Sequence, residues 1–474
     1  MAELGPEAQA SHRLRRPGVE GAMLMRGSIL SLLVIAALGA AVIADAPLAS
    51  AAPVAGQTDP PQTVFGAAER AQALDQIEAR IRSTYVYPEK REAIVGRLIV
   101  GAAKGRYDTA DPVIFAQRVT EDLQAETKDT HLYLSYEPAW FRTAQLPAQP
   151  GDDDQQVKLE TQIARDTNHG LVAMKVLPGN IRYLKIDGFD WVEGETGPAY
   201  DAAMRFLKGG RAVIIDLRGN GGGWVEAAKY LLSHFLDGNT LIATFYGADG
   251  QAEQYRAVDY VPAGRIKGKP VYILIDGHSR SAAEMVAYTF QQYGLGELVG
   301  ARTEGAANVS DDFAVAPGFR LSVSTGHTVQ PISKTDWEGV GVAPTIATDP
   351  EQALEVAELR AIDKLLPTSP DGMPRYQLQW ARPALEASLH PVSLSDKALK
   401  AFAGTYGEAS ISFQDHALWL HRPDRTPSRL APMTSDGLFQ AVDNDTLRIR
   451  VTPATLDLLR IDPAYSKQYR KAAH

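Results

Sequence analysis

The pattern that most constrains this chain is a short apolar run that ends in glycines. Residues 211–223 read Arg-Ala-Val-Ile-Ile-Asp-Leu-Arg-Gly-Asn-Gly-Gly-Gly. An apolar, β-branched run followed by Gly219 and the glycines at 221–223 predicts a buried strand that stops at a tight turn. Beyond it Val225, Leu231, Leu232 and Phe235 recur at helical spacing. A glycine-lined turn between strand and helix leaves bare N–H groups at a helix N-terminus, a place for an anion or an oxyanion. Phosphate is the rival occupant, but neither GxxxxGK[ST] nor GxGxxG is present here. A packed turn that simply needs small residues is the plainer alternative.

A second run has the same grammar. Residues 271–284 read Val-Tyr-Ile-Leu-Ile-Asp-Gly-His-Ser-Arg-Ser-Ala-Ala-Glu, followed by an apolar segment at 285–290. A serine on a strand-to-helix turn presents its hydroxyl at the rim of a sheet, beside the next backbone N–H. Ser279 and Ser281 compete for that role. Ser281 is nearer the helix start and is followed by small residues that allow close approach. Either serine would equally serve as an ordinary N-cap.

Together these segments resemble a known family. Asp-Leu-Arg-Gly-Asn-Gly-Gly-Gly at 216–223, Ser-Ala-Ala-Glu at 281–284 and Asp-Trp-Glu-Gly-Val-Gly-Val-Ala-Pro at 336–344 look like the C-terminal processing (tail-specific) serine proteases. Within that family the pattern is similar to the branch of tricorn core proteases and interphotoreceptor retinoid-binding protein modules. Thr-Tyr-Val-Tyr-Pro at 84–88, Gly-Arg-Tyr-Asp at 105–108, Asp-Thr-His-Leu at 129–132 and Leu-Pro-Gly-Asn-Ile-Arg-Tyr at 177–183 agree with it. The resemblance runs over residues 65–350.

That resemblance implies Ser281 as nucleophile, His131 as general base, and Glu338 as the acid that completes the relay. Thr130 falls where a supporting polar residue often stands. Gly221, Gly222 and the Ala282 N–H match the oxyanion hole. His131 is expected to come within hydrogen-bond reach of Ser281, with the helical region closing over the core. A base that accepts the serine proton, held in one tautomer by a third group, is what turns a hydroxyl into a nucleophile. Three departures stand out. Where the processing-protease branch has its Lys base, this chain has Ala306. Gly305-Ala306 replaces a Gly pair, and Pro344-Thr345-Ile346 replaces Pro-Asp-Ile. His278 is the runner-up base; Glu284 and Glu304 are alternative acids, expected to be solvated charges at helix ends.

The implied fold is α/β, a ClpP/crotonase-like catalytic core with an N-terminal helical domain and a small C-terminal antiparallel β domain. The expected layout is a signal peptide at 1–52, a linker at 53–64, the helical domain at 65–140 and a loop at 141–165. The peptidase core follows at 166–365, a Pro-rich connector at 366–392 and the β domain at 393–474. The loop leaves no room for a PDZ module. The apolar run at 29–43, after Arg26 and before Ala49-Ser-Ala51, has the order of a cleavable secretory signal. It predicts a periplasmic or secreted protein with no stable membrane span after processing, an uncleaved membrane anchor being the lesser alternative.

Composition narrows the rest. With 474 residues and 45% hydrophobic content, the chain has material for a large core. A net charge of −9 without a basic run argues against nucleic acid. The absence of cysteine removes thiol chemistry. No HExxH or clustered ligand spacing appears, so neither a metal nor a cofactor is expected. The expected function is an exported serine peptidase working through an acyl-enzyme on peptides or unfolded protein. The alternative is a catalytically silent module for a hydrophobic ligand, of the retinoid-binding type.

Overall fold

The computed structural model describes residues 65–146, 152–248 and 250–471. The expected signal peptide and linker lie outside the described residues. Among those described, no helix is long and apolar enough to cross a membrane.

The chain opens with three helices, α1 (Ala67–Thr84), α2 (Pro88–Ala103) and α3 (Pro112–Ala125). Proline begins α2 and α3 at the first turn, where no intrahelical N–H is needed. Asp111 caps α3 by accepting from the N–H groups of Val113 and Ile114. Strand β1 (Tyr133–Tyr136), α4 (Pro138–Ala144) and α5 (Asp152–Asp166) follow. The segment at 141–165, expected as a loop, is therefore largely helical. Its helix was hard to see because it carries almost no apolar stripe: Val157, Leu159 and Ile163 are exposed, and Ala164 is buried.

The core then alternates strands and helices: β2 (Leu171–Leu177), β3 (Ile181–Ile186), α6 (Thr196–Lys208), β4 (Ala212–Asp216), α7 (Val225–Ser233), β5 (Leu241–Gly247), β6 (Ala252–Arg256), β7 (Val271–Ile275), α8 (Ala282–Tyr293), β8 (Glu297–Gly300), β9 (Val309–Val315), β10 (Phe319–Val329), β11 (Ile346–Ala347) and α9 (Ala353–Leu365). One sheet has the order β11-β8-β7-β4-β3-β2, parallel except where β2 meets β3. Its two faces are covered by different helices. Val213, Ile215, Ile273 and Ile275 pack with α6, α7 and α8, whereas Ala212, Ile214, Tyr272 and Leu274 pack with α9 and the helix after it. That is the strand period of two with both faces buried, which is why these strands read as unbroken apolar runs.

A second sheet joins β1, β10, β5 and β6, with β9 also on β10. Strand β1 pairs antiparallel to the first half of β10, from Tyr133 opposite Ser322 to Tyr136 opposite Phe319. The helical region thus shares one core with β9 and β10, where Phe319 contacts Phe65, Phe115 and Tyr136 at ring distances of 5.5, 5.4 and 5.3 Å.

The segment expected as a Pro-rich connector holds α10 (Met373–Leu389). Pro374 sits in its first turn and Pro383 is accommodated inside it, so a proline count alone misleads here. After α11 (Asp396–Ala401) come β12 (Gly404–Tyr406), β13 (Ala409–Gln414), β14 (Ala417–Arg422), β15 (Arg425–Pro432), β16 (Leu438–Ala441), β17 (Asn444–Val451), β18 (Thr455–Arg460) and β19 (Lys467–Arg470). They form an antiparallel meander in chain order, and a bridge from Tyr406 to Lys471 brings its two ends nearly to closure. Helix α10 docks on it through the Tyr376 hydroxyl, which donates to Arg460 O at 2.6 Å, and through Arg448, whose guanidinium lies 4.1 Å above the Trp380 ring.

Phe319→Ala should cost about 3–5 kcal/mol of unfolding free energy in guanidinium titration. A cost under about 1 kcal/mol would show that the helical layer and β10 do not share a core.

Candidate active site

The two turns singled out in the sequence sit side by side because β4 and β7 are adjacent and parallel, with Val213 opposite Val271. Carboxyl ends of neighbouring parallel strands are where open α/β sheets place ligands. Three hydrogen bonds lace the turns together: Arg280 N–H to Asn220 O at 2.9 Å, Gly219 N–H to Asp276 Oδ1 at 3.0 Å, and the Ser279 hydroxyl to Leu217 O at 2.8 Å. Ser279 is fully buried and its hydroxyl also accepts from Asp276 N–H, so it is spent on the turn.

Ser281 stands just before α8 with φ 52° and ψ −117°, a backbone state that a residue with a Cβ rarely adopts. Gly222 packs against it. A methyl group on Gly222 would lie 2.7 Å from Ser281 Cβ and 2.9 Å from Arg280 O, and Gly222 itself has φ +98°. Only glycine permits that approach. The Gly222 N–H is engaged by Asn220 Oδ1 at 2.8 Å. Among the described residues, no acceptor meets the N–H of Gly221 or of Ala282.

Glu284, one turn into α8, is completely buried rather than a solvated helix-end charge. It accepts from Ser281 N–H (3.0 Å), the Thr303 hydroxyl (2.5 Å), Gly305 N–H (2.7 Å) and Ala306 N–H (2.8 Å). Burial pushes its carboxyl up and these donors pull against that. The loop it holds then meets the Glu338 loop, since Gly339 N–H donates to Gly305 O at 2.8 Å. Glu304 is partly exposed, 3.5 Å from the Arg280 guanidinium, and His278 is exposed.

His131 arrives from the helical side, just ahead of β1. Its N–H donates to Asp129 Oδ1 at 2.9 Å, and its Nδ1 lies 3.9 Å from the same oxygen. Nδ1 is buried and makes no hydrogen bond, and neither does the buried Thr130 hydroxyl. Among the described residues, no hydrogen bond joins His131 to Ser281. Burial lowers the His131 pKa, the nearby Arg280 charge lowers it further, and Asp129 opposes both.

Glu338 Oε2 accepts from Ala307 N–H (2.6 Å) and Asn308 N–H (2.8 Å). Burial raises its carboxyl well above the usual range, and the neighbouring Asp129 adds to that. Asp129 was missed in the sequence. It is 1% exposed, and its Oδ2 accepts from the Tyr85 hydroxyl (3.3 Å) and Asn308 Nδ2 (3.0 Å). The available signal was an Asp two residues before His131, a spacing at which an Asp side chain takes the later N–H. Ligand atoms of Asp129, His131 and Glu338 lie within 4.8 Å of one another, a spacing a cation could use. Asp129 Oδ1, Asp129 Oδ2 and Glu338 Oε2 already receive N–H or O–H donors, which suits a hydrogen-bonded relay better than a metal shell. The structure thus brings Asp129, His131 and Glu338 together on one side, and Ser281, Gly221, Gly222 and Ala282 on the other.

Comparison with known proteins places these features in context. The model of peptidase family S41 matches residues 180–348. The chain is 32% identical over 145 residues to the carboxyl-terminal-processing peptidase 1 of Arabidopsis thaliana chloroplasts, covering 30% of this chain and 29% of that one. It is 25% identical over 176 residues to the carboxy-terminal processing protease CtpB of Bacillus subtilis, covering 36% and 35%. The chain therefore spans about a third of the length of these curated relatives. Among solved structures, the photosystem II D1 C-terminal processing protease matches 63% of this chain and 97% of its own at 15% identity, with a TM-score of 0.38.

Gly222→Ala is expected to slow labelling of Ser281 by a fluorophosphonate about 10²-fold or more, because the turn can no longer lie against the serine. Labelling at the wild-type rate, in a protein that melts as wild type does, would show that the turn is not set against Ser281.

Proposed function

We propose that this chain, whose α/β core matches the model of peptidase family S41 over residues 180–348, is an exported serine-type peptidase that cleaves peptides or unfolded protein through an acyl-enzyme. The observation that carries this reading is Ser281, held at φ 52° between β7 and α8 with a glycine turn against its Cβ. Strain of that kind in a non-glycine residue persists only when its surroundings enforce it, and it gathers at reactive sites.

In this reading Ser281 Oγ attacks the scissile carbonyl carbon while its proton passes to His131. The Gly221 and Ala282 N–H groups receive the oxyanion that forms, and Gly222 supplies the close approach. His131 then gives the proton to the leaving amine; in the second half it takes a proton from the attacking water and returns it to Ser281 Oγ as the acyl–oxygen bond breaks. Asp129 and Glu338 form the acidic side of the relay, with Thr130 beside it. The missing Ser281–His131 hydrogen bond fits an enzyme whose catalytic contacts tighten only with substrate. Ala306 in place of a lysine supports the histidine as base.

Ser281→Ala should remove turnover of a fluorogenic peptide by several orders of magnitude and abolish fluorophosphonate labelling, with the fold retained. Turnover that survives this substitution, or labelling at Ser279, would overturn the assignment.

The base makes a second prediction. A general base must be neutral, and burial together with Arg280 lowers the His131 pKa. The acidic limb of kcat/KM should therefore fall below the ordinary imidazole value of about 6.5. Removing the cation takes away one lowering influence, so Arg280→Gln should move that limb to higher pH. A limb that stays put or moves down in Arg280→Gln would count against His131 as the base.

A further inference from the structure

The relay beside His131 contains two carboxyls, and their surroundings are unequal. Asp129 receives three donors: His131 N–H on Oδ1, and the Tyr85 hydroxyl and Asn308 Nδ2–H on Oδ2. Glu338 receives two backbone N–H groups, both on Oε2. Its Oε1 is buried and has no hydrogen-bond partner. A bare carboxylate oxygen sealed from water is costly, whereas an Oε1 that carries a proton is a donor. Asp129 is the neighbouring acceptor: ligand atoms of Asp129, His131 and Glu338 lie within 4.8 Å of one another, and a side-chain hydrogen bond with Asp129 is among the causes that raise the Glu338 carboxyl. Two buried carboxyls so close do not both ionise readily.

We propose that Asp129 and Glu338 hold a single proton between them, resident on Glu338 Oε1, and that Asp129 is the charged positioning residue of His131. This rests on the peptidase reading for its kinetic consequence, but not for its protonation pattern. Asp129 acts through His131: it fixes the backbone that carries the ring and places one negative charge 3.9 Å from Nδ1. When His131 takes the serine proton, the imidazolium forms next to that charge. Glu338 then supports Asp129 rather than His131, which reverses the roles the motif suggests.

The other ionisable groups facing the cluster do not cancel this arrangement. Tyr85 and Tyr87 approach from the segment between α1 and α2, and burial raises both phenols, so they stay neutral. Asp336, on the Glu338 loop, is itself raised by burial. Arg280, on the serine turn, is the cation that His131 feels. The upward displacement of the Glu338 carboxyl, from burial first and Asp129 second, has the sense that a resident proton requires.

Infrared difference spectroscopy of the full chain at pH 7 tests the proton directly. Wild type minus Glu338→Gln should show the carbonyl stretch of a neutral carboxylic acid, and the same band should persist in Ser281→Ala. Kinetics then tests the roles: Asp129→Asn should lower kcat about 10²-fold or more and cost more than Glu338→Gln. It should also shift the acidic limb, which loss of packing alone would not do. No neutral-acid band in the Glu338→Gln difference, or a larger kcat loss in Glu338→Gln than in Asp129→Asn, would overturn the proposal. If Asp129→Asn does not fold, the band decides alone. A band present in a wild-type protein that neither cleaves peptide nor takes the fluorophosphonate would leave the shared proton standing and overturn the peptidase reading instead.

Discussion

The arrangement hangs on one buried carboxyl, that of Glu284. It sits one helical turn after Ser281 and collects the Ser281 N–H, the Thr303 hydroxyl and the N–H groups of Gly305 and Ala306. Without it, the Gly305 and Ala306 N–H groups would be buried with nothing to accept them, each a loss of about 1–3 kcal/mol. The bonds also fix geometry. The 303–306 loop is pinned to the serine helix, Gly305 O is thereby offered to Gly339 N–H, and the Glu338 loop is registered against both. Ser281 and Glu338 are far apart in the chain, and the Glu284 carboxyl is one of the links that set their loops relative to each other.

Much of this was legible in the sequence, for a physical reason. Buried parallel strands must be apolar on both faces, and the turns after them must be small, so 212–223 and 271–284 announced both the sheet and the edge of the site. Ser281 could be preferred over Ser279 from the small residues after it, and the fully buried Ser279 hydroxyl, bonded on both sides, now explains the difference. What stayed hidden depended on tertiary neighbours. Glu284 looked like a helix-end charge because sequence shows its place in α8 but not the loop that folds over it. Asp129 carries no sign of its role in the motif at 129–132, because its partners Tyr85 and Asn308 come from distant segments. Helix α5 was lost for the opposite reason: it buries too little to carry a stripe.

The second sheet explains why the helical region cannot be treated as an appendage. Strand β1 uses the first half of β10, while β5 uses the second half. Phe65, Phe115 and Phe319 then close a shared aromatic core. His131 therefore reaches the serine turn by strand pairing, rather than by a hinged domain swinging shut. The ladder begins two residues after His131, at Tyr133, and so sets where that turn sits against β10.

That seam has a consequence for when the chemistry can begin. During synthesis, the segment bearing His131 emerges long before β10, its pairing partner, and before the serine turn. Until β10 is in place, β1 has no strand of that sheet to pair with, and the segment that carries His131 is not registered against the core. Under the proposed function, cleavage is thus conditional on completed folding. In the peptidase proposed here, a molecule still unfolded, and surrounded by its own unfolded copies, would have no assembled site with which to cut them.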